Sequence, residues 1–356
     1  VKLIPYSTQR PKKKRWVRYV SPSLMAVSLS VVVLVAVVFS FPSILIISIQ
    51  HEQGIKAPAS FAQFPVTVNP KGKSIVENDQ VNALLASPDS PLHVEASAGS
   101  VSGVLGTLFQ RIAIAIGNTP WYQSVAAVDT KFVTIAPGMR KEQVASAFAS
   151  VLGWKAKQRT QFMTASTYAT LPLPEGSFES GVYLVNSATT PIQAQLMVND
   201  NFDKNIVSHY SDATAQVVPL DTALTIASLI ERETGGPDDM RLISGIIWNR
   251  LFANMNLQLD ATLQYAKAQK SPIAGSWWPQ VVPKDKYINS PYNTYLHAGL
   301  PPTPIASPSV AAVLAALNPV NTPCLFYFHD RNGNFHCTDT YAAHVALLKK
   351  YYGQGK

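Results

Sequence analysis

LTIASLIERETGG, Leu224 to Gly236, decides how the second half of this chain is read. It reads as a helix that is otherwise almost wholly apolar; Arg232 shares its polar face with Ser228 and Thr225, and both glutamates sit at the borders of that face. Gly235 and Gly236 stop it, and Asp221 is the expected N-cap. Near its end stand Glu231 and Glu233, separated by Arg232. A carboxylate among aliphatic neighbours is costly to ionise, so it tends to keep its proton towards neutral pH. A general acid needs that property, which makes Glu231 a candidate. The plain alternative is a helix-end glutamate that reaches solvent. At about 100° per residue the two glutamates point roughly 200° apart and do not face one ligand together. Periodicity alone leaves open which of them faces a cleft.

Downstream, Pro237, Asp238 and Asp239 suit a first helical turn, and RLISGIIWNRL, 241–251, continues as a helix. LQLDATLQYA, 257–266, and a Trp-rich excursion, SWWPQVVPK, follow. SPYNTYLHAGLPPTPIASPS, 290–309, is dense in Pro, Gly and Asn and reads as loop. Pro308 to Leu317 reads as a helix, and TYAAHVALLKKYY, 340–352, as another. Between them CLFYFHDRNGNFHC, Cys324 to Cys337, reads as two aromatic strands around an Asn332-Gly333 turn. A cross-strand disulfide suits this spacing; two buried thiols are the alternative. His329, His336 and His344 match no strong metal signature and read as packing residues.

Upstream, KFVTI from Lys131 reads as a strand. RKEQVASAFASVLG follows as an amphipathic helix through Val144, Phe148, Val151 and Leu152. GVYLVNS is a second strand, and TPIQAQLMVNDNF a helix capped near Thr190, so residues 126–204 form a small α+β unit. Residues 51–125 are poor in charge, with one short helix expected within 71–87 and a flexible connection at SAGSVSG, 97–103.

No charge occurs from Tyr19 to Gln50, and LMAVSLSVVVLVAVVFSFPSILIISI, 24–49, is long enough to span a bilayer. Arg10, Lys12, Lys13, Lys14, Arg15 and Arg18 precede it, whereas Glu52 and Lys56 are the first charges after it. The positive-inside rule predicts a cytoplasmic 1–20, a single span at 21–50 and an external body. The formal net charge of +8 owes much to residues 1–20 and carries no nucleic-acid inference. No GxxxxGK[ST] phosphate loop is present.

LIERETGG, IWNRL, LQLDATLQYA, the 290–309 loop, AALNP and the terminal TYAAHVALLKKY occur in that order. In these segments the chain resembles the membrane-anchored endolytic murein transglycosylases, the YceG-like or MltG-like family, over about 130–352. The resemblance implies a LysM-like module at 126–204 before a catalytic domain at 205–356. It assigns the catalytic acid to the first glutamate of the IERET segment, Glu231. It places Asn249, Gln258, Asp260, Thr262, Tyr292, Asn293, Thr294 and Tyr295 in or near the cleft. The chain departs from the family pattern at Leu259 and Ala261, in EGSFESGVY, 175–183, and at Cys337.

The resulting expectation is an α+β chain with one N-terminal transmembrane helix, a LysM-like module and a mixed helical/β catalytic domain. The implied activity is endolytic cleavage of nascent peptidoglycan to leave 1,6-anhydromuramoyl ends, terminating glycan elongation. No cofactor or metal is needed. The expected partners are glycan strands, the membrane and peptidoglycan synthases, with no nucleic acid. One acid suffices because the muramoyl C6 hydroxyl is an internal nucleophile. A muramidase using water, or a non-catalytic wall-binding scaffold that recruits synthases, are the alternatives. Asp260 reads as a sugar-contacting or loop-fixing group, or as the second acid of a hydrolase.

Overall fold

Two hydrophobic cores organise the chain, one built on the Leu224 helix and one on the 131–205 unit. This is a computed structural model, and it describes residues 30, 62–87, 90–92, 111–112, 114–120, 122–123, 129–164, 174–270 and 276–353. Apart from Ser30, the apolar run at 21–50 lies outside the described residues, as does the 97–103 connection. Among the described residues no helix is long and apolar enough to cross a membrane.

A minimal hairpin of β1 (Val68–Asn69) and β2 (Ser74–Ile75) leads to α1 (Asp79–Leu85), which is capped by the Asn78 side chain. Phe64, Val68, Leu85 and Leu92 from this region pack into the C-terminal core. The Phe64 N–H donates to the His209 carbonyl at 2.8 Å, and Thr67 N–H to that of Leu317 at 3.1 Å. Part of the stretch set apart as membrane-proximal, 51–125, therefore shares a core with residues 205–317. Its elements are too short to show a period.

The first unit follows the strand–helix–helix–strand order β3 (Lys131–Ile135), α2 (Lys141–Leu152), α3 (Ala156–Thr164) and β4 (Gly181–Val185). β3 and β4 pair antiparallel, Val133 opposite Tyr183. Val144 and Phe148 of α2 are buried over this pair, with Phe148, Trp154 and Phe162 in mutual aromatic contact. α4 (Pro191–Asn205) starts at Thr190, whose hydroxyl accepts the Gln193 N–H as sequence leads one to expect.

After α5 (Asp212–Val217) comes α6 (Leu220–Glu233). Its N-cap is Pro219, not Asp221; Asp221 lies inside the first turn, where its carboxylate accepts the Thr222 N–H at 2.7 Å. α7 (Met240–Phe252), α8 (Asp260–Lys270) and α9 (Val310–Leu317) surround α6. α9 is buried from Ala311 to Leu317, as its unbroken Ala/Val/Leu composition requires. Gly245 of α7 lets the Val320 carbonyl approach to 2.3 Å from where a Cβ would stand.

β5 (Phe326–His329) and β6 (Phe335–Thr338) form the aromatic hairpin, with Tyr327 opposite Cys337. Of the two states left open for the cysteines, the structure has the disulfide, Cys324–Cys337. α10 (Tyr341–Tyr352) packs on this hairpin. Overall the fold is α+β, with helices dominant and the sheets reduced to two-stranded pairs.

Candidate active site

The last turn of α6 divides its functions by azimuth. Glu233 follows Ile226, Leu229 and Ile230 at spacings of seven, four and three, so it extends their fully buried stripe. There it opens into a cavity of about 800 Å³. Its carboxylate accepts the Tyr327 hydroxyl at 3.0 Å and the Ala261 N–H at 3.4 Å. Burial pushes the Glu233 carboxyl up to about 7, helped by the charge of Asp260; the Tyr327 and Ala261 donors and Arg232 pull the other way. Desolvation wins because two hydrogen bonds only partly replace the hydration of a carboxylate.

Three elements complete the walls. Gln258, Leu259 and Asp260 line the cavity where the chain enters α8, with Gln258 in the left-handed region at φ 51°. Asp260 accepts the Tyr295 hydroxyl at 2.7 Å, and the ammonium of Lys286 lies 5.0 Å from the Tyr295 ring centre. Phe326 and Phe328 of β5, with Tyr341 and His344 of α10, supply an aromatic face. Arg250 borders the cavity, but its guanidinium is committed to the carbonyls of Leu325, at 2.7 Å, and Leu257.

The hairpin also grips the turn after Glu233. His329 meets the Asp239 carboxylate at 2.5 Å, and Asp239 accepts from the Gly235 N–H at 3.1 Å and from the Thr234 hydroxyl. Tyr327 and His329 lie on one face of β5, so a single strand holds both sides of this turn. His336 pairs with Asp330 at 2.9 Å. No group of three or more His, Cys, Asp or Glu side chains suited to a metal occurs among the described residues.

Of the residues expected at the cleft, Gln258, Asp260 and Tyr295 line the cavity and six do not. Glu231, the residue expected as the acid, is not among those lining this cavity. It points to the opposite side of the helix, where one oxygen accepts the Ser309 N–H at 3.0 Å and hydroxyl at 2.6 Å. Burial raises its carboxyl, and these two donors and Arg232 oppose the rise. Asn249 donates its amide to the Thr322 and Cys324 carbonyls and so anchors the hairpin base. Thr262 and Thr294 are buried, hydroxyl to hydroxyl at 2.9 Å. Tyr292 packs on Tyr265 and bonds Thr303. Asn293 is fully buried, its amide spent on the Lys286 and Ile288 carbonyls at 3.0 and 2.8 Å. These polar groups fix the backbone of the loops that present the cavity residues.

Sequence reasoning also missed Tyr327 and Lys286 as cavity groups. For Glu233 the spacing was ambiguous: Ile226, Leu229 and Ile230 precede it as Leu224, Ala227 and Ser228 precede Glu231, and both sets are buried. For Tyr327 there was no signal, because its role depends on how the hairpin docks.

The site is thus a protonatable carboxyl in a cavity with one aromatic and one polar wall. The chain belongs to the YceG-like family, whose model matches residues 113–350. It is 34% identical over 178 residues to the endolytic murein transglycosylase of Bacillus subtilis strain 168, covering 50% of this chain and 48% of that protein. It is 32% identical over 159 residues to the endolytic murein transglycosylase of Streptococcus pneumoniae D39, covering 44% of this chain and 28% of that one. The matches thus span half or less of these relatives. In fold it is similar to the crystal structure of a YceG-like protein from Listeria monocytogenes, with a TM-score of 0.54 and 24% identity, over 67% of this chain and 81% of that one.

Proposed function

We propose that this protein is an endolytic lytic transglycosylase of peptidoglycan, with Glu233 acting first as acid and then as base. The observation that carries this reading is a half-buried carboxyl, pushed up to about 7, opening into a cavity sized for sugars. The names of the bacillary and pneumococcal relatives point to the same substrate.

In the proposed reaction Glu233 donates its proton to the glycosidic oxygen as the bond to the muramoyl anomeric carbon breaks. The C6 hydroxyl of that muramoyl residue then attacks the anomeric carbon, and its proton returns to Glu233. No water is consumed and the product is a 1,6-anhydro ring. Gln258, Asp260 and Tyr295 are the proposed sugar contacts from the polar wall, and the Phe326 and Phe328 rings suit the apolar faces of pyranoses. Asp260, a second carboxylate in the same cavity, favours a muramidase as the other reading, with water activated opposite the acid.

The reading extends to location. Residues 21–50 serve as a single-pass anchor in the bacterial cell membrane, and the body stands on the outer side, where the wall is made. The strand–helix–helix–strand order at 131–185 supports a LysM-like, glycan-binding module. Synthases that extend glycan at the membrane are the proposed partners, with strand termination during wall biogenesis as the outcome.

Incubation with membrane-anchored nascent glycan, followed by mass spectrometry of the new ends, tests the chemistry. Anhydromuramoyl ends support the transglycosylase; reducing ends transfer the assignment to the muramidase. Intact glycan with the folded wild-type chain removes both.

A further inference from the structure

The acid assigned to Glu233 leaves Glu231 unexplained, although it is a half-buried carboxylate on the same helical turn. Its surroundings connect the two units of the protein. The Ser309 hydroxyl that donates to Glu231 also accepts the Ala312 N–H at 3.1 Å, so its one proton is committed to Glu231. Ser309 is the N-cap of α9, where a carboxylate meets the positive end of the helix. Two residues upstream, Ser307 N–H donates to the Met139 carbonyl and Gly138 N–H to the Ser307 carbonyl, both at 2.8 Å. Met139 and Gly138 belong to the turn between β3 and α2. The loop held by Glu231 is therefore the loop onto which the 131–205 unit is docked.

Arg232 makes a parallel connection. Its guanidinium lies 4.0 Å from the centre of the Trp278 ring, whose indole N–H donates to Gln143 of α2 at 3.1 Å. Gly138, at φ +77°, lies against both residues: a Cβ there would stand 3.2 Å from the Arg232 Nη1 and 3.6 Å from the Glu231 Cγ. One helical turn thus has the reacting carboxyl on one side and the docked unit on the other.

We propose that Glu231 is a positioning residue that couples docking of the 131–205 unit to the placement of Glu233. This rests on the reading of Glu233 as the acid. With Ser309 engaged, the last turn of α6 has a fixed azimuth and Glu233 is held in the cavity between Tyr327 and Ala261. With the unit displaced, the 305–309 loop loses two backbone hydrogen bonds and Glu231 loses its fixed partner. The frayed turn then carries Glu233 out of register. Glycan engaged by the unit would in this way favour the active geometry.

The test uses the full chain on membrane-anchored glycan, with kcat and KM measured beside hydrogen exchange at the Gly138 and Ser307 amides. Glu231→Leu should lower kcat by at least about tenfold, with KM within about threefold and exchange at both amides accelerated. Glu231→Gln keeps an acceptor for Ser309 and should stay within about threefold of wild type, with exchange unchanged. Should the Leu variant not fold, Gly138→Ala disturbs the same contact from the other unit through a left-handed backbone position, and the same loss of kcat with faster Ser307 exchange is expected. Wild-type kcat, or unchanged exchange, in Glu231→Leu overturns the proposal. So does a Gln variant as inactive as the Leu variant. Glu233→Gln separates the two layers: if it stays active, the acid assignment itself is wrong, whatever the exchange data show.

Discussion

Glu233 and Glu231 show how far two adjacent carboxylates can diverge in role. Glu233→Gln should lower turnover by about 10²–10⁴-fold while the chain stays folded, since the amide keeps the size and an acceptor for Tyr327. Near-normal turnover in the folded variant would exclude it as the acid. With its carboxyl near 7, the proton-donating form is lost as pH rises, so kcat should fall above about that pH. The Tyr327 hydroxyl favours the charged form; Tyr327→Phe should shift that falling limb to higher pH, and a shift to lower pH would contradict the hydrogen-bond assignment. Glu175 gives a stability test. It is buried, accepts the Lys141 N–H at 2.8 Å, and is pushed up to about 8, first by burial and then by the Glu142 charge. Between its ordinary 4.5 and about 8 the folded chain binds the extra proton, so stability is full below 4.5 and lost as pH climbs through 8. Glu175→Gln should therefore raise the melting temperature at about pH 8.5 by several degrees and change it little near pH 5. Equal effects at both pH values would show that Glu175 is ionised in the folded chain. Periodicity did not choose between the two glutamates and family likeness pointed to Glu231; the packed helix turns Glu233 to the cavity and Glu231 to Ser309.

Among the elements, those with a clear local signal were legible: β3 from its short β-branched run before a turn, α2 from Val144 and Phe148, α4 from Thr190 and Pro191, and the hairpin from its Asn-Gly turn. α3 was not, because AKQRTQFMT buries only Phe162 and so shows no stripe. The 290–309 loop was legible as loop, while the internal bonding of its side chains was not. Polar residues in a Pro-rich segment resemble ligand contacts, yet a segment with few repeating backbone bonds needs its side chains to satisfy its own carbonyls. Asn293 does this twice. Asn293→Ala should accordingly lower the melting temperature, at a cost of about 1–3 kcal/mol for the unpaired carbonyls, and leave KM of the folded fraction close to wild type. A tenfold rise in KM with unchanged stability would restore it as a substrate contact.

At the scale of the whole molecule, the charge pattern and the cysteines bear on the same question of where the body resides. Six lysines and arginines lie within 10–18 and none within 19–50, while the next is Lys56. Such an asymmetry orients a single span with its basic flank in the cytoplasm. Both cysteines of the chain are consumed by one disulfide, which fastens the hairpin carrying Tyr327 and His329. A disulfide persists in an oxidising compartment and is unusual in a reducing one, so the wall of the cavity is itself suited to the outer side. The pairing also leaves no native thiol to confuse labelling. Ser97→Cys, placed between the proposed anchor and the first unit, should react in whole cells with a membrane-impermeant maleimide, without permeabilisation. Reaction only after lysis would put the body inside the cell, separate the proposed acid from its glycan and reverse the proposed orientation of residues 21–50.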